Sequence, residues 1–284
     1  MLKVTVAKNV GFCFGVKRAV KIVEKLLNSE KDVYITGDLI HNEEEMKRLE
    51  KMGLKVLDIQ KEKWPDLSES TVVIRAHGIP KLVFRRLKKS SKKVVDATCP
   101  VVSKVAELMI KEEKKGFSLF LYGRDGHAEV EYLKSHVKNV KIVNTTGIAE
   151  ELFPRKIALF SQTTMDVDGF KSVAFSFLKK LEDFSDFHLH ETICSVTIER
   201  EREAKELART NDVCVIVGGK KSSNTRKLYE LAKEINKNSH MILDEEEVDE
   251  RWFSNAESVG ICSGTSTPLR TIQRVVKRIK NLRY

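Results

Sequence analysis

Three cysteines recur along this chain at matched places. Cys13 lies in GFCFGVKRAV, Cys99 in DATCPVVSKV and Cys194 in ETICSVTIERE, with gaps of 86 and 95 residues (99 − 13, 194 − 99). Each ends a short apolar run and opens a helix-like segment. His41, His127 and Ser222 each stand 28 residues beyond their cysteine (41 − 13, 127 − 99, 222 − 194). His77 and Thr163 follow at 64 (77 − 13, 163 − 99), and Ser266 at an offset 72 (266 − 194). A cysteine at a helix start is biased toward thiolate, because backbone N–H groups and the helix dipole favour negative charge there. Three such thiolates, one from each of three similar segments, are a ligand set for a shared centre. Zinc could take three sulfurs and keep a fourth position open. A 4Fe–4S cluster could be held through three irons, leaving the fourth for substrate. The absence of any CxxC pair argues against a zinc ribbon, and the spacing leaves zinc and iron–sulfur both open.

The polar residues describe the ligand. His41-Asn42, His77-Gly78, His127, Ser222-Ser223-Asn224 and Ser266 would bring hydrogen-bond donors to one mouth, and Thr163 and Thr164 of SQTTMD add hydroxyls. Together with helix N-termini, these make a phosphate or diphosphate cradle. Glu129, two residues past His127, is placed to deliver protons. Its simpler role is that of a first-turn carboxylate complementing the helix dipole. Cys214 in VCVIVG and Cys262 in GICSG have no counterparts and read as core thiols.

The elements that must carry these residues alternate between helix and strand. After Cys13, Val16, Ala19, Val20, Val23, Leu26 and Leu27 recur at helical spacing, as do Val102, Val105, Ala106 and Met109 after Cys99. A strand running into polar text follows in each copy: VYITGDLIHN, FSLFLYGRDGHAE and VCVIVGGKKSSN. Then come a charged helix, a short strand, a second strand with a polar turn, and a helix and strand leading to the next cysteine. The third copy runs out of chain, and the N-terminal LKVTVAK supplies its last strand. The expected fold is α/β, with three similar αβ units built on mainly parallel sheets. Their expected bounds are 13–97, 98–192 and 193–284, the last completed by 1–12. In such sheets ligands gather beyond the carboxyl ends of strands, where the cysteines and their polar counterparts all fall.

Composition narrows the class. With 41% hydrophobic and 32% charged residues, the 284-residue chain is an ordinary globular protein. It contains no apolar run long enough to span a membrane, and its N-terminus lacks the apolar stretch of a signal peptide, so a cytoplasmic protein is expected. Five cysteines, widely spaced and odd in number, do not form a secreted disulfide framework. A net charge of +10 would attract polyanions. Its clusters at Arg85–Lys89 and Arg270–Arg283 read as solvated helix faces, however, and only 7% of residues are aromatic, so no specific nucleic acid is expected.

GFCFGVKRAV, IHN at 40–42, RAHGIP, DATCPVVSKV, GHAEVE, SQTT, TICSVT, GGKKSSNT and SGTSTP together resemble the LytB family of hydroxymethylbutenyl diphosphate reductases. The resemblance runs in order from the first strand to the last helix. It implies three αβ units in pseudo-threefold arrangement around one 4Fe–4S cluster, held by Cys13, Cys99 and Cys194 with one open iron. It implies an allylic diphosphate substrate, held by His41, His77, Ser222, Asn224 and Ser266, with His127, Ser223, Thr163 and Thr164 close by. Glu129 would relay protons to the leaving hydroxyl, helped by Thr163 and His127. The implied reaction is a two-electron dehydroxylation to isopentenyl and dimethylallyl diphosphates, the last step of the methylerythritol phosphate route. A ferredoxin or flavodoxin would supply the electrons, and no RNA-binding segment is expected beyond the final helix. The alternatives are an iron–sulfur dehydratase acting on a phosphorylated small molecule, a zinc hydrolase, and a nucleic-acid binder suggested by charge alone.

Overall fold

The computed structural model describes residues 2–145, 154–181 and 186–282. Along it run Lys3–Val6 (β1), Phe14–Ser29 (α1), Val33–Thr36 (β2), Glu43–Lys51 (α2), Leu54–Leu57 (β3), Leu67–Ile74 (β4), Lys81–Ser90 (α3) and Ser91–Asp96 (β5). There follow Pro100–Lys114 (α4), Ser118–Tyr122 (β6), Ala128–Lys134 (α5), Val140–Val143 (β7), Lys156–Ser161 (β8), Val167–Leu178 (α6) and Asp186–Leu189 (β9). The last part holds Ser195–Thr210 (α7), Val213–Val217 (β10), Ser223–Ile235 (α8), Ser239–Ile242 (β11), Ser258–Ser263 (β12) and Leu269–Lys280 (α9).

The strands form three four-stranded sheets, β3-β2-β4-β5, β7-β6-β8-β9 and β11-β10-β12-β1, with one order repeated in each. Every ladder is parallel. The fold is therefore the expected α/β architecture of parallel sheets. The N-terminal β1 lies beside β12, with Lys3 opposite Ser258 and Val6 opposite Ile261.

By density of internal contacts the chain divides into two units. The first comprises Met1–Lys17, Ile40–Leu49 and Ser195–Tyr284, and the second Arg18–Leu39 and Glu50–Cys194. In the first, strand alternation sends Val213, Val215 and Val217 to one face, where they pack with Val259, Ile261, Val275 and Ile279. Cys214 and Ile216 turn to the other face, against Ala204, Leu207, Leu228, Ala232 and Cys262. Cys214 and Cys262 are thus core side chains. A hydrogen bond with Cys214 and full burial hold the Cys262 thiol well above its ordinary value, so it stays protonated.

One expectation changes here. The basic stripe of α9 is not simply a solvated face. Its apolar side buries Ile272, Val275 and Ile279, while Arg270, Arg274 and Arg278, four residues apart, engage carboxylates. Arg270 reaches Glu45, Arg274 reaches Glu44 at 2.9 Å and Glu245 at 2.5 Å, and Arg278 reaches Glu250 at 2.8 Å. Much of that positive charge is therefore neutralised locally. The α3 cluster is likewise occupied, with the Arg86 guanidinium 3.7 Å from the Trp64 ring centre.

In the second unit, one core joins Val72 and Ile74 of β4 to Leu87 of α3, and another joins Leu119, Leu121, Ala158 and Phe160 to Val105, Met109, Val130 and Leu133. Both rest on the same logic of apolar strand faces covered by crossover helices. No helix among the described residues is long and apolar enough to cross a membrane.

Candidate functional site

Each cysteine of the repeated set is fixed by the same local device. In the first unit the Cys13 N–H donates to the Thr265 carbonyl at 3.1 Å. In the second, the Cys99 N–H donates to the Ala76 carbonyl and the Cys194 N–H to the Thr163 carbonyl, both at 2.9 Å. The acceptors follow β12, β4 and β8, the strands that pair with β1, β5 and β9, which lead into the cysteines. They lie at, or one residue before, Ser266, His77 and Thr163. The recurrence in the sequence therefore marks one turn used three times. Each cysteine then precedes a helix. Cys99 is the N-cap of α4, with Pro100 at the first helical position, and the Val16 N–H points at the Cys13 sulfur at 3.5 Å. All three thiols are half-buried, unlike Cys214 and Cys262, and no disulfide forms among the described residues.

The first unit also carries His41, Ser222, Ser223, Asn224 and Ser266. Asn42 caps α2, its Oδ1 accepting the Glu45 N–H at 3.0 Å. Asn224 Oδ1 accepts the Thr265 N–H at 3.0 Å, and Ser222 Oγ caps α8 by accepting the Thr225 N–H at 3.3 Å. Ser223 opens α8. Asn42 Nδ2, Asn224 Nδ2 and Ser266 Oγ are buried and have no hydrogen-bond partner among the described residues. A buried donor left unmade costs about 1–3 kcal/mol, so native structures rarely keep one without a ligand or water to meet it. Those of Asn42, Asn224 and Ser266 can donate to an oxygen-rich ligand. Gly219 lets the loop before α8 approach it, since a β-carbon there would stand 2.1 Å from the His41 carbonyl oxygen.

The second unit carries His77, His127, Glu129, Thr163 and Thr164. Glu129 is only 1% exposed, and its two oxygens accept from the Thr163 N–H at 2.7 Å and the Thr163 hydroxyl at 2.8 Å. Burial pushes its carboxyl up to about 7, against the two Thr163 hydrogen bonds that favour the anion. Because the Thr163 carbonyl also anchors the Cys194 N–H, one residue joins the carboxyl to the cysteine turn. His127 is the N-cap of α5, its Nδ1 accepting the Glu129 N–H at 3.2 Å. A neutral ring accepting at Nδ1 carries its proton on Nε2. The His77 ring meets His127 edge-on, with centroids 5.5 Å apart. Gly78 allows this turn, with φ +76° and a hypothetical β-carbon 2.4 Å from the Tyr132 ring. Thr164 Oγ1 accepts from Gln162 Nε2 at 3.0 Å, and Gln162 Oε1 takes the Arg124 N–H at 3.1 Å.

Two residues of this set escaped the sequence reading or stood at its margin. Asn42 entered only as the neighbour of His41. Arg75, two residues before His77, is half-buried with its Nε unpartnered among the described residues, and burial lowers its pKa from the usual arginine value. The signal available was position: Arg75 directly follows β4, and Asn42 directly precedes α2.

A family model described as LytB protein matches residues 4–280. The chain belongs to the LytB family. Among relatives, a 4-hydroxy-3-methylbut-2-enyl diphosphate reductase of Campylobacter concisus is 41% identical, over 99% of this chain and all of its own length. That of Kosmotoga olearia is 40% identical over 98% of this chain and 95% of its own. A solved structure of (E)-4-hydroxy-3-methyl-but-2-enyl diphosphate reductase, termed the terminal enzyme of the non-mevalonate pathway, aligns with a TM-score of 0.73 at 36% identity, covering 99% of this chain and 100% of the other. The Plasmodium falciparum reductase structure gives a TM-score of 0.89 at 27% identity, covering 99% and 88%. The LytB match runs from β1 to the end of α9 and includes every cysteine turn, each unpartnered donor and the Glu129–Thr163 pair.

Proposed function

We propose that this LytB chain is a 4-hydroxy-3-methylbut-2-enyl diphosphate reductase. Its substrate gains two electrons and two protons and loses its hydroxyl as water, giving isopentenyl and dimethylallyl diphosphates at the end of the methylerythritol phosphate route. The observation that carries this reading is the carboxyl of Glu129, raised to about 7 and joined through Thr163 to the Cys194 turn. A buried acid of that strength can give a proton near neutrality, as a departing hydroxyl requires.

The cysteine set fits an iron–sulfur cluster. Cys13, Cys99 and Cys194 are half-buried thiols on matched turns, each immediately before a helix. We assign them as the three ligands of one 4Fe–4S cluster. When bound, the cluster would supply electrons and one Lewis-acidic iron without a cysteine ligand. The chain divides, in this reading, into parts 13–97, 98–192 and 193–284 with 1–12, each supplying one cysteine. The protein's own contribution is to bind, orient and protonate. His41, His77, Ser222, Asn224 and Ser266 hold the diphosphate, with His127, Ser223 and Thr164 beside it. The unpartnered donors of Asn224 and Ser266 support that role. Glu129 carries the proton, Thr163 orients its carboxyl, and His127 offers an Nε2–H from the same helix start. Electrons come from a small donor such as ferredoxin or flavodoxin, and five thiols without disulfides suit the reducing cytoplasm.

Anaerobic product analysis with and without reductant tests the assignment. A reductase forms both products only when electrons are supplied. Turnover without reductant would instead identify a dehydratase, and a purified protein holding zinc but neither iron nor sulfide would overturn the cluster.

A further inference from the structure

The stretch Asp186-Phe-His-Leu-His190 sets three polar side chains at alternate positions, where strand geometry places them on one face. Opposite them, near the end of α4, stands Glu112, whose side chain is 3% exposed. His188 Nδ1 lies 2.8 Å from one Glu112 oxygen, and His190 Nε2 lies 3.8 Å from the other. The three ligand-capable atoms fall within 4.8 Å of one another. His190 Nε2 is buried and makes no hydrogen bond among the described residues, the Glu112 oxygen being too far for one. The second nitrogen of His188 faces Asp186 Oδ1 at 3.3 Å, the carboxylate–imidazole pairing that orients metal-bound histidines. Two phenylalanines fix the rings. His188 stacks on Phe117 at 4.1 Å, and His190 stacks on Phe160 at 4.6 Å with only 3° between the planes.

We propose that Glu112, His188 and His190 form a metal site for one divalent transition ion, distinct from the cysteine centre. Two imidazoles and one carboxylate suit zinc or ferrous iron, with a position left for water. The site is remote from Cys99. Glu112 lies twelve positions beyond Pro100 on α4 (112 − 100), about 18 Å along the helix. A simpler role for these groups is an ion-pair network, since Lys115 Nζ already sits 2.8 Å from a Glu112 oxygen. That lysine is 45% exposed on a flexible stem and would swing into water when an ion arrives. An ion-pair network engages the His190 nitrogen only at 3.8 Å and leaves it without a hydrogen bond, whereas a metal ion would take it as a ligand.

Equilibrium dialysis of the anaerobically purified protein against micromolar zinc, with metal counted per chain and the brown absorbance followed throughout, tests the site. The expected result is one zinc per chain with unchanged absorbance. His188→Asn and His190→Asn should each weaken zinc binding at least about tenfold. Lys115→Met should tighten it several-fold by removing the competing cation, and this variant keeps both histidines should either substitution impair folding. Wild-type protein that takes no zinc, equal uptake by the two histidine variants, or unchanged affinity in Lys115→Met would each overturn the proposal.

Discussion

Glu129→Gln separates proton delivery from architecture. Glutamine keeps the shape of the side chain, and its Oε1 can still accept the Thr163 N–H that now lies 2.7 Å from the carboxylate. The Thr163 hydroxyl, which donates at 2.8 Å, can turn to accept from the new amide, so the Thr163 carbonyl should continue to hold Cys194. The cluster is therefore expected to remain while the donated proton is lost. A positioned general acid contributes about 10²–10⁴-fold, and kcat should fall within that range. The pH profile gives a second test. With the carboxyl at about 7, roughly half of the molecules carry the proton at pH 7 and about a tenth at pH 8. The sign is that of an acid needed in its neutral form, so activity is retained below pH 7 and declines as pH rises through it. Because that value belongs to the protein without substrate, wild-type kcat/KM should drop about fivefold between pH 7 and pH 8, and the residual kcat/KM of the variant should be flat across that range. The assay is steady-state turnover under anaerobic conditions with a viologen reductant, normalised to iron and sulfide content. A variant with full cluster and more than a tenth of wild-type kcat would refute the assignment. A residual rate with the same decline above pH 7 would place the titrating group elsewhere.

Other expectations test the remaining parts. Ser266→Ala should raise KM for the diphosphate about tenfold or more, the worth of one hydrogen bond to a charged group, while the melting temperature of the ligand-free protein stays level because its hydroxyl has no hydrogen-bond partner among the described residues. A lowered melting temperature with unchanged KM would make Ser266 structural. Gly78→Ala forces a β-carbon into the Tyr132 ring at positive φ and should destabilise the fold by about 1–3 kcal/mol, read as a lower unfolding midpoint, with a higher KM through displacement of His77. Cys13→Ser, Cys99→Ser and Cys194→Ser should each lose or loosen the cluster, seen as loss of absorbance and of stoichiometric iron. Cys214→Ser should leave iron content unchanged, because that thiol lies in the strand core.

Much of this protein can be read from its residues in order. The alternation of apolar strands with amphipathic helices specifies parallel sheets, because β–α–β crossovers leave few other ways to bury both sheet faces. The spacing of Cys13, Cys99 and Cys194, and of the polar residues after them, is a linear record of one turn used three times, so the candidate ligands were visible without coordinates. Composition could not reveal what neighbours do to a group. Burial, not sequence position, raises Glu129 to about 7, and the fold alone makes Thr163 both its partner and the anchor of Cys194. The charge of α9 looked free until Glu44, Glu45, Glu245 and Glu250, distant in sequence, were found against it. Glu112 and the His188–His190 pair are separated by more than seventy residues and carry no shared motif. Local periodicity thus determined the elements and the turns, since those depend on near neighbours. Proton affinity, charge compensation and the Glu112 cluster depend on long-range proximity and desolvation, and only the tertiary structure decided them.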